Sequence, residues 1–139
     1  MAPMSDDLRG LSNAKAVWDF TTGDERRFRD RLELVIDAAQ DFKRRNIAYD
    51  FVLLLHGAAT QFAARTLVGT KFADADLSAA HALMQRFCDL GGRIEVCRIA
   101  MERSRIAADN VVACALIERN VFVNSVALQN RDYAYMPIP

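Results

Sequence analysis

YDFVLLL, residues 49–55, is the most apolar short run in the chain, and it stops at His56-Gly57. A run this short and this continuous is too brief for a stable helix and lacks the alternation of a strand wetted on one side. It reads as a central strand covered on both faces, the pattern of parallel sheets in α/β proteins. Layers of helix are therefore expected on each side of it.

The neighbouring segments supply them. Upstream, Phe28, Leu32, Val35, Ile36, Ala39 and Phe42 recur at helical spacing, while Arg27, Arg31, Glu33, Asp37, Gln40 and Lys43 fall mostly on the opposite side, so a long amphipathic helix is predicted. Thr22 and Glu25 stand three apart, as in a capping box, and Asp24 and Glu25 put negative charge where a helix start favours it. Before that helix, residues 14–20 (AKAVWDF) lead into Thr21-Thr22-Gly23 and read as a first strand. Downstream, Ala80, Leu83, Met84, Phe87 and Cys88 form the stripe of a helix capped by Asp76 or Ser78 and stopped by Gly91-Gly92. Residues 93–100 (RIEVCRIA) read as the third strand.

Periodicity leaves VVACALIE, residues 111–118, open: it continues a helix, or it is a turn of helix followed by a strand around residues 114–118. Residues 121–129 read as helical, with Phe122, Val126 and Gln129 on one side, and residues 133–138 (YAYMPI) as a final strand or a docked tail. Strand and helix alternating at about 30 residues per unit imply βαβ crossovers. The expected fold is α/β, a mainly parallel sheet with helices on both faces.

The length of 139 residues suits one domain, residues 14–139, after a polar segment 1–13 expected to be mobile. Lys plus Arg and Asp plus Glu each number 18, so there is no global field to hold a polyanion, and nucleic acid is not an expected partner. No apolar run approaches the roughly 20 residues needed to cross a bilayer, so no membrane contact is expected. Cys88, Cys97 and Cys114 are odd in number and lack a CxxC spacing, which fits thiols in a reducing, cytoplasmic setting better than a disulfide framework. Neither GxGxxG nor a Walker lysine loop is present, and Thr21-Thr22-Gly23 alone is a weak flavin signal, so no cofactor is expected. Two distant His and three distant Cys give no metal-ligand spacing.

In parallel α/β sheets the chemistry gathers beyond the carboxyl ends of the strands. Asp19, Thr21, Thr22, His56, Gly57 and Cys97 all fall there. Cys88 and Cys114 lie in apolar surroundings and read as small core residues. Cys97 comes late in the third strand and is followed by Arg98, Arg103 and Arg105, an electropositive surround that favours a thiolate. His56 at the end of residues 49–55 suits a proton carrier or hydrogen-bond donor, or a structural cap, and Gly57 lets backbone approach closely. His81, near the start of a helix, reads as a surface residue. A phospho-receiver domain would need clustered acids at the first strand and an acceptor Asp at the third, where Cys97 stands instead.

Taken in order, the strand before Thr-Gly-Asp, the apolar strand ending in His-Gly, Gly-Gly before a strand carrying Cys97, and the closing VALQNRDYAYMPI resemble the DsrE/DsrF-like family of sulfur-relay proteins. The most specific portion is the ending, Leu128, Gln129, Tyr133, Ala134, Tyr135 and Pro137. The resemblance spans residues 14–137. It implies a flavodoxin-like three-layer sandwich of about five mainly parallel strands, a strand near residues 114–118, and assembly as a homo-oligomer, trimer or hexamer. It also implies that Cys97 carries sulfane sulfur as a persulfide between a donor and an acceptor protein; the reading of the residues themselves adds His56, Gly57, Arg98 and Arg103 as the expected binding surround. Asn130-Arg131-Asp132 departs from the family, in which a glycine often precedes the closing tyrosine. The alternative is an oligomeric module of the same fold that binds a small anionic ligand without thiol chemistry.

Overall fold

The computed structural model describes residues 5–139, so the first four residues of the expected mobile segment lie outside the described residues. At its centre runs β2 (Ala48–Leu55), whose last five side chains are all buried. β2 pairs in parallel with β1 (Asn13–Phe20) on one side and β3 (Arg93–Cys97) on the other. Beyond β3 lies β4 (Ala115–Glu118), and beyond β1 lies β5 (Ala134–Ile138), also parallel. The five-stranded sheet has the order β4-β3-β2-β1-β5. The fold is the expected α/β three-layer sandwich.

Helices cover both faces. α1 (Glu25–Arg44) and α2 (Ser78–Asp89) lie on one side, where Phe28, Leu32, Phe51, Leu53, Met84, Phe87, Ile94 and Val96 form the larger core. α4 (Val121–Gln129) covers the other, with Val121 and Leu128 packed over Val17, Val52, Leu54 and Cys97. The side shared by Phe122 and Val126 therefore faces outward, and these residues are 63% and 60% exposed. A helical period says which residues share a face, not which face is covered.

Four local expectations change. Asp24, not Thr22, caps α1: its carboxylate accepts from the Arg27 N–H at 3.0 Å, while the Thr22 hydroxyl accepts from the Asp24 N–H at 3.2 Å. Glu25 is drawn instead to Arg29, one turn on, at 2.7 Å. β3 stops at Cys97 rather than residue 100, because its ladder to β2 ends at Leu55↔Val96 and its ladder to β4 at Cys97↔Glu118. With no partners left, the chain turns into α3 (Arg98–Arg103). Cys88 and Cys114 are half-buried at the edge of the larger core rather than inside it, and the Cys88 thiol points to the Cys114 carbonyl. His81 is half-buried, with a ring nitrogen 3.1 Å from the Phe62 carbonyl, and is no free surface residue.

After a short helical turn at Ala108–Asn110, the open stretch 111–118 resolves as a lone bridge from Val111 to Ala64, a turn, and then β4, whose Ala115 packs on the larger core while Leu116 faces out at 50% exposure. No helix among the described residues is long and apolar enough to cross a membrane.

Candidate functional site

The parallel register fixes the site. Leu55 sits opposite Val96, so the next residues, His56 and Cys97, leave neighbouring strands side by side, and Cys97 in turn is the register partner of Glu118 on β4. Adjacent parallel strands lie about 4.8 Å apart, which makes His56 and Cys97 lateral neighbours on the α4 face. Gly57 then takes the left-handed backbone, φ +56°, that turns the chain away from the sheet.

A cavity of about 420 Å³ opens at these strand ends. His56, Gly57 and Cys97 line its floor, α3 contributes Ile99, Ala100, Arg103 and Ser104, and Asn120 and Phe122 close it from the start of α4. Lys71, from the long connection before α2, completes the wall. Cys97 is only 6% exposed and packs in the smaller core with Val17, Val52 and Leu54, and it also lines this cavity. Among the described residues two cations, Lys71 and Arg103, line the cavity and no carboxylate does.

Of the residues expected at the site, the structure brings together His56, Gly57, Cys97 and Arg103. Arg98 is elsewhere. It opens α3 on the other side of that helix and borders a separate surface depression with Met101, Glu102 and Ile106. Helical geometry accounts for the split: residues 99, 100, 103 and 104 share one face of α3, and residue 98 does not belong to it.

Behind the cavity, His56 Nε2 and Asp19 Oδ1 are 2.5 Å apart, with both side chains largely buried. The second Asp19 oxygen accepts a hydrogen bond from the Tyr135 hydroxyl. Burial pushes the Asp19 carboxyl up, but the hydrogen bonds from His56 and Tyr135 and the charge of His56 outweigh it and hold the group below the usual Asp range. Tyr135 is pushed up to about 12, first by its bond to Asp19 and then by burial, so it stays a donor. The Phe122 ring stands edge-on to the His56 imidazole, centroids 5.3 Å apart. Cys88, by contrast, is pushed up to about 12 by burial and by neighbouring Cys114, which leaves it a protonated thiol.

Lys71, Asn120, Phe122 and Tyr135 went unassigned when the sequence alone was read for chemistry. Lys71 reaches the site because its N–H donates to the Ser104 carbonyl at 3.0 Å, tying the connection to the end of α3. No periodic pattern announces such a tie. Tyr135 had a signal, its place in the closing YAYMPI, though not its partner. Among the described residues no group of three or more His, Cys, Asp or Glu is placed to hold a metal ion.

This architecture defines a class: a parallel five-stranded α/β sandwich with its cavity at the carboxyl edge of the sheet. No family model matches the sequence, and no curated protein does. Solved structures do match. The chain is similar to MTH1491 of Methanobacterium thermoautotrophicum, a protein of unknown function, with TM-score 0.64 and 15% identity over 89% of this chain and 98% of that one. It is similar to BT1422 of Bacteroides thetaiotaomicron, a conserved protein of unknown function, with TM-score 0.59 and 15% identity over 91% and 95% of the two chains. The ychN protein of E. coli matches with TM-score 0.61 and 14% identity over 89% and 98%. At such identities the likeness establishes a common fold.

Proposed function

We propose that the protein is a sulfur carrier or sulfurtransferase-like member of the DsrE/DsrF-like family that relays sulfane sulfur as a persulfide on Cys97. The observation that carries this reading is the placement of Cys97 beside His56 in a cavity whose charged walls are Lys71 and Arg103. The common fold with proteins that span nearly the same length adds support for the family, as does the closing YAYMPI pairing onto β1.

The reaction balances without an oxidant. The Cys97 thiol gives its proton to the free ring nitrogen of His56. The thiolate attacks the terminal sulfur of the donor's persulfide; the new S–S bond forms at Cys97 as the donor's S–S bond breaks, and the donor leaves as a thiolate that takes up a proton. Delivery runs the same way, with an acceptor thiolate attacking the outer sulfur and Cys97 leaving. Lys71 and Arg103 would draw the anionic groups of donor and acceptor.

Residues 14–139 would act as one domain in a homo-oligomer, trimer or hexamer, and the outward apolar residues Val123, Val126 and Leu116 suit burial between copies. Three free thiols suit a cytoplasmic protein. Intact mass after incubation with a persulfide donor tests the carrier reading: one added sulfur on the wild type and none on Cys97→Ser is expected, and equal uptake by both, or by neither, overturns it.

A second reading rests on Lys71 and Arg103, two cations in a cavity with no lining acid. The cavity would hold a small anion and the thiol would be incidental. Anion affinity would then be equal in wild type and Cys97→Ser, and lost in Lys71→Gln with Arg103→Gln.

A further inference from the structure

We propose that Asp19 is the positioning residue of the site: it holds the His56 imidazole through Nε2, leaves Nδ1 as the one basic nitrogen of the ring, and is itself locked by Tyr135. This deepens the carrier reading, from which it takes only the step in which Cys97 loses a proton to His56.

The geometry comes from three strands. Asp19 is the penultimate residue of β1, His56 follows β2, and Tyr135 lies on β5, the strand on the far side of β1. Register places Val17 opposite Tyr135 and Phe20 opposite Leu55, so the Asp19 carboxylate stands between the tyrosine on one flank and the imidazole on the other. Each carboxylate oxygen has one donor, His56 Nε2 on Oδ1 and the Tyr135 hydroxyl on Oδ2. A carboxylate can only accept, so its partner nitrogen must carry the proton, and a neutral imidazole has one proton to place. Asp19 therefore selects the Nε2–H tautomer and keeps Nδ1 as an acceptor. The same logic links nucleophile, base and orienting acid in many unrelated enzymes, where the base is held by a third group.

Neither Asp19 nor Tyr135 lines the cavity. Their effect runs through His56. Other charged or titratable groups around that imidazole are Lys71, Arg103 on α3 and the Cys97 thiol on β3, which line the cavity with it, and, outside the lining and one strand further, Glu118 on β4; the residues at the start of α4, Asn120 and Phe122, do not titrate. Asp19 is the only carboxylate bonded to the ring among the described residues.

Two measurements test this without any sulfur donor. Nitrogen-15 NMR of the neutral imidazole, with the His81 signals removed by His81→Gln, reads the tautomer directly. The expected result is protonated Nε2 and bare Nδ1 in the wild type; a His56 that carries its proton on Nδ1 overturns the proposal. The second is the pH profile of Cys97 alkylation by iodoacetamide, located by peptide mapping. Asp19→Asn, which offers an amide N–H to the ring and reverses the tautomer, is expected to slow alkylation near neutral pH by about 10²-fold, the low end of a lost general base, and to leave the rate at about pH 9 little changed. Tyr135→Phe shifts the profile in the same direction by a few fold. Profiles of both variants superimposable on the wild type overturn the proposal. Should Asp19→Asn fail to fold, the wild-type tautomer and the Tyr135→Phe profile decide. A protein that takes up no sulfur but shows these tautomers and profiles loses the carrier reading and keeps the positioning role.

Discussion

Phe122 sets its ring edge-on to the His56 imidazole, 5.3 Å between centroids and 85° between planes, although Phe122 itself is 63% exposed. α4 thus closes the cavity with a residue that contributes little to the core. Asn120 anchors it there, its side chain accepting from the Phe122 N–H at 3.0 Å to cap the helix. This part of the cavity wall is an aromatic ring held by a helix start, and it can be removed without disturbing the sheet.

Phe122→Ala should therefore raise the rate of Cys97 alkylation several fold while changing stability by less than about 1 kcal/mol, since a mostly exposed ring has little burial to lose. Thiol-reactivity kinetics alongside urea unfolding checks both halves. A large loss of stability with unchanged reactivity would mean that the ring packs rather than shields.

Stability at acid pH should follow Asp19. Its folded-state pKa lies below the ordinary 3.8, so the stability it contributes is fully present above that value and is lost as pH falls through the depressed one. Unfolding free energy measured from neutral pH to about pH 2 should fall more steeply in wild type below about pH 4 than in Asp19→Asn, which lacks the titration. Equal slopes in this window would contradict the bonded carboxylate.

Glu95 predicts the opposite sign. It is buried on the α4 face of β3; burial raises its pKa, the Arg93 guanidinium at 2.9 Å opposes that, and Oε1 has no hydrogen-bond partner among the described residues. A group whose folded pKa lies above its unfolded 4.5 contributes most below that value and loses the contribution as pH rises through the folded one. Wild type should thus lose stability between about pH 4.5 and neutrality relative to Glu95→Gln, a difference that paired denaturation curves would reveal.

How far residues reveal a structure depends on how local the cause is. The burial of β2, the stripe of α1 and the stop at Gly91-Gly92 are written in side chains a few positions apart, and the sheet follows from them. Cys97, His56, Gly57 and Arg103 were legible as a group because strand ends converge in any parallel sheet. The end of β3 was not, because it depends on where the partners on β2 and β4 run out. Nor was Lys71, brought in by one backbone hydrogen bond from a connection with no period, nor the bond of Asp19 to Tyr135, which spans 116 positions.

Gly92 should tolerate no side chain. A Cβ there would lie 2.3 Å from the buried Phe87 ring of α2, which has no room to retreat. Gly92→Ala is expected to cost about 1–3 kcal/mol by overpacking, read as a lower urea midpoint. Phe87→Leu in the same chain should recover part of that loss if the ring is the obstacle.

Asp132 explains how the chain manages without the glycine that the DsrE/DsrF-like pattern leads one to expect before the closing tyrosine. Its φ is +68°, in the left-handed region, and its N–H still reaches the Gln129 carbonyl at 3.2 Å, so the turn from α4 into β5 forms as a glycine would form it. Asp is among the few side chains that enter this region at modest cost, which is why the substitution is compatible with the fold. Some strain remains, and Asp132→Gly should relieve it: a gain of at most about 1 kcal/mol is expected, reduced by the greater freedom of glycine in the unfolded chain. Asp132→Val, a β-branched residue at the same φ, should instead destabilise the turn by more than 1 kcal/mol, roughly. Thermal unfolding of the three proteins orders them, and a valine variant as stable as the glycine one would show that the backbone there is not held left-handed.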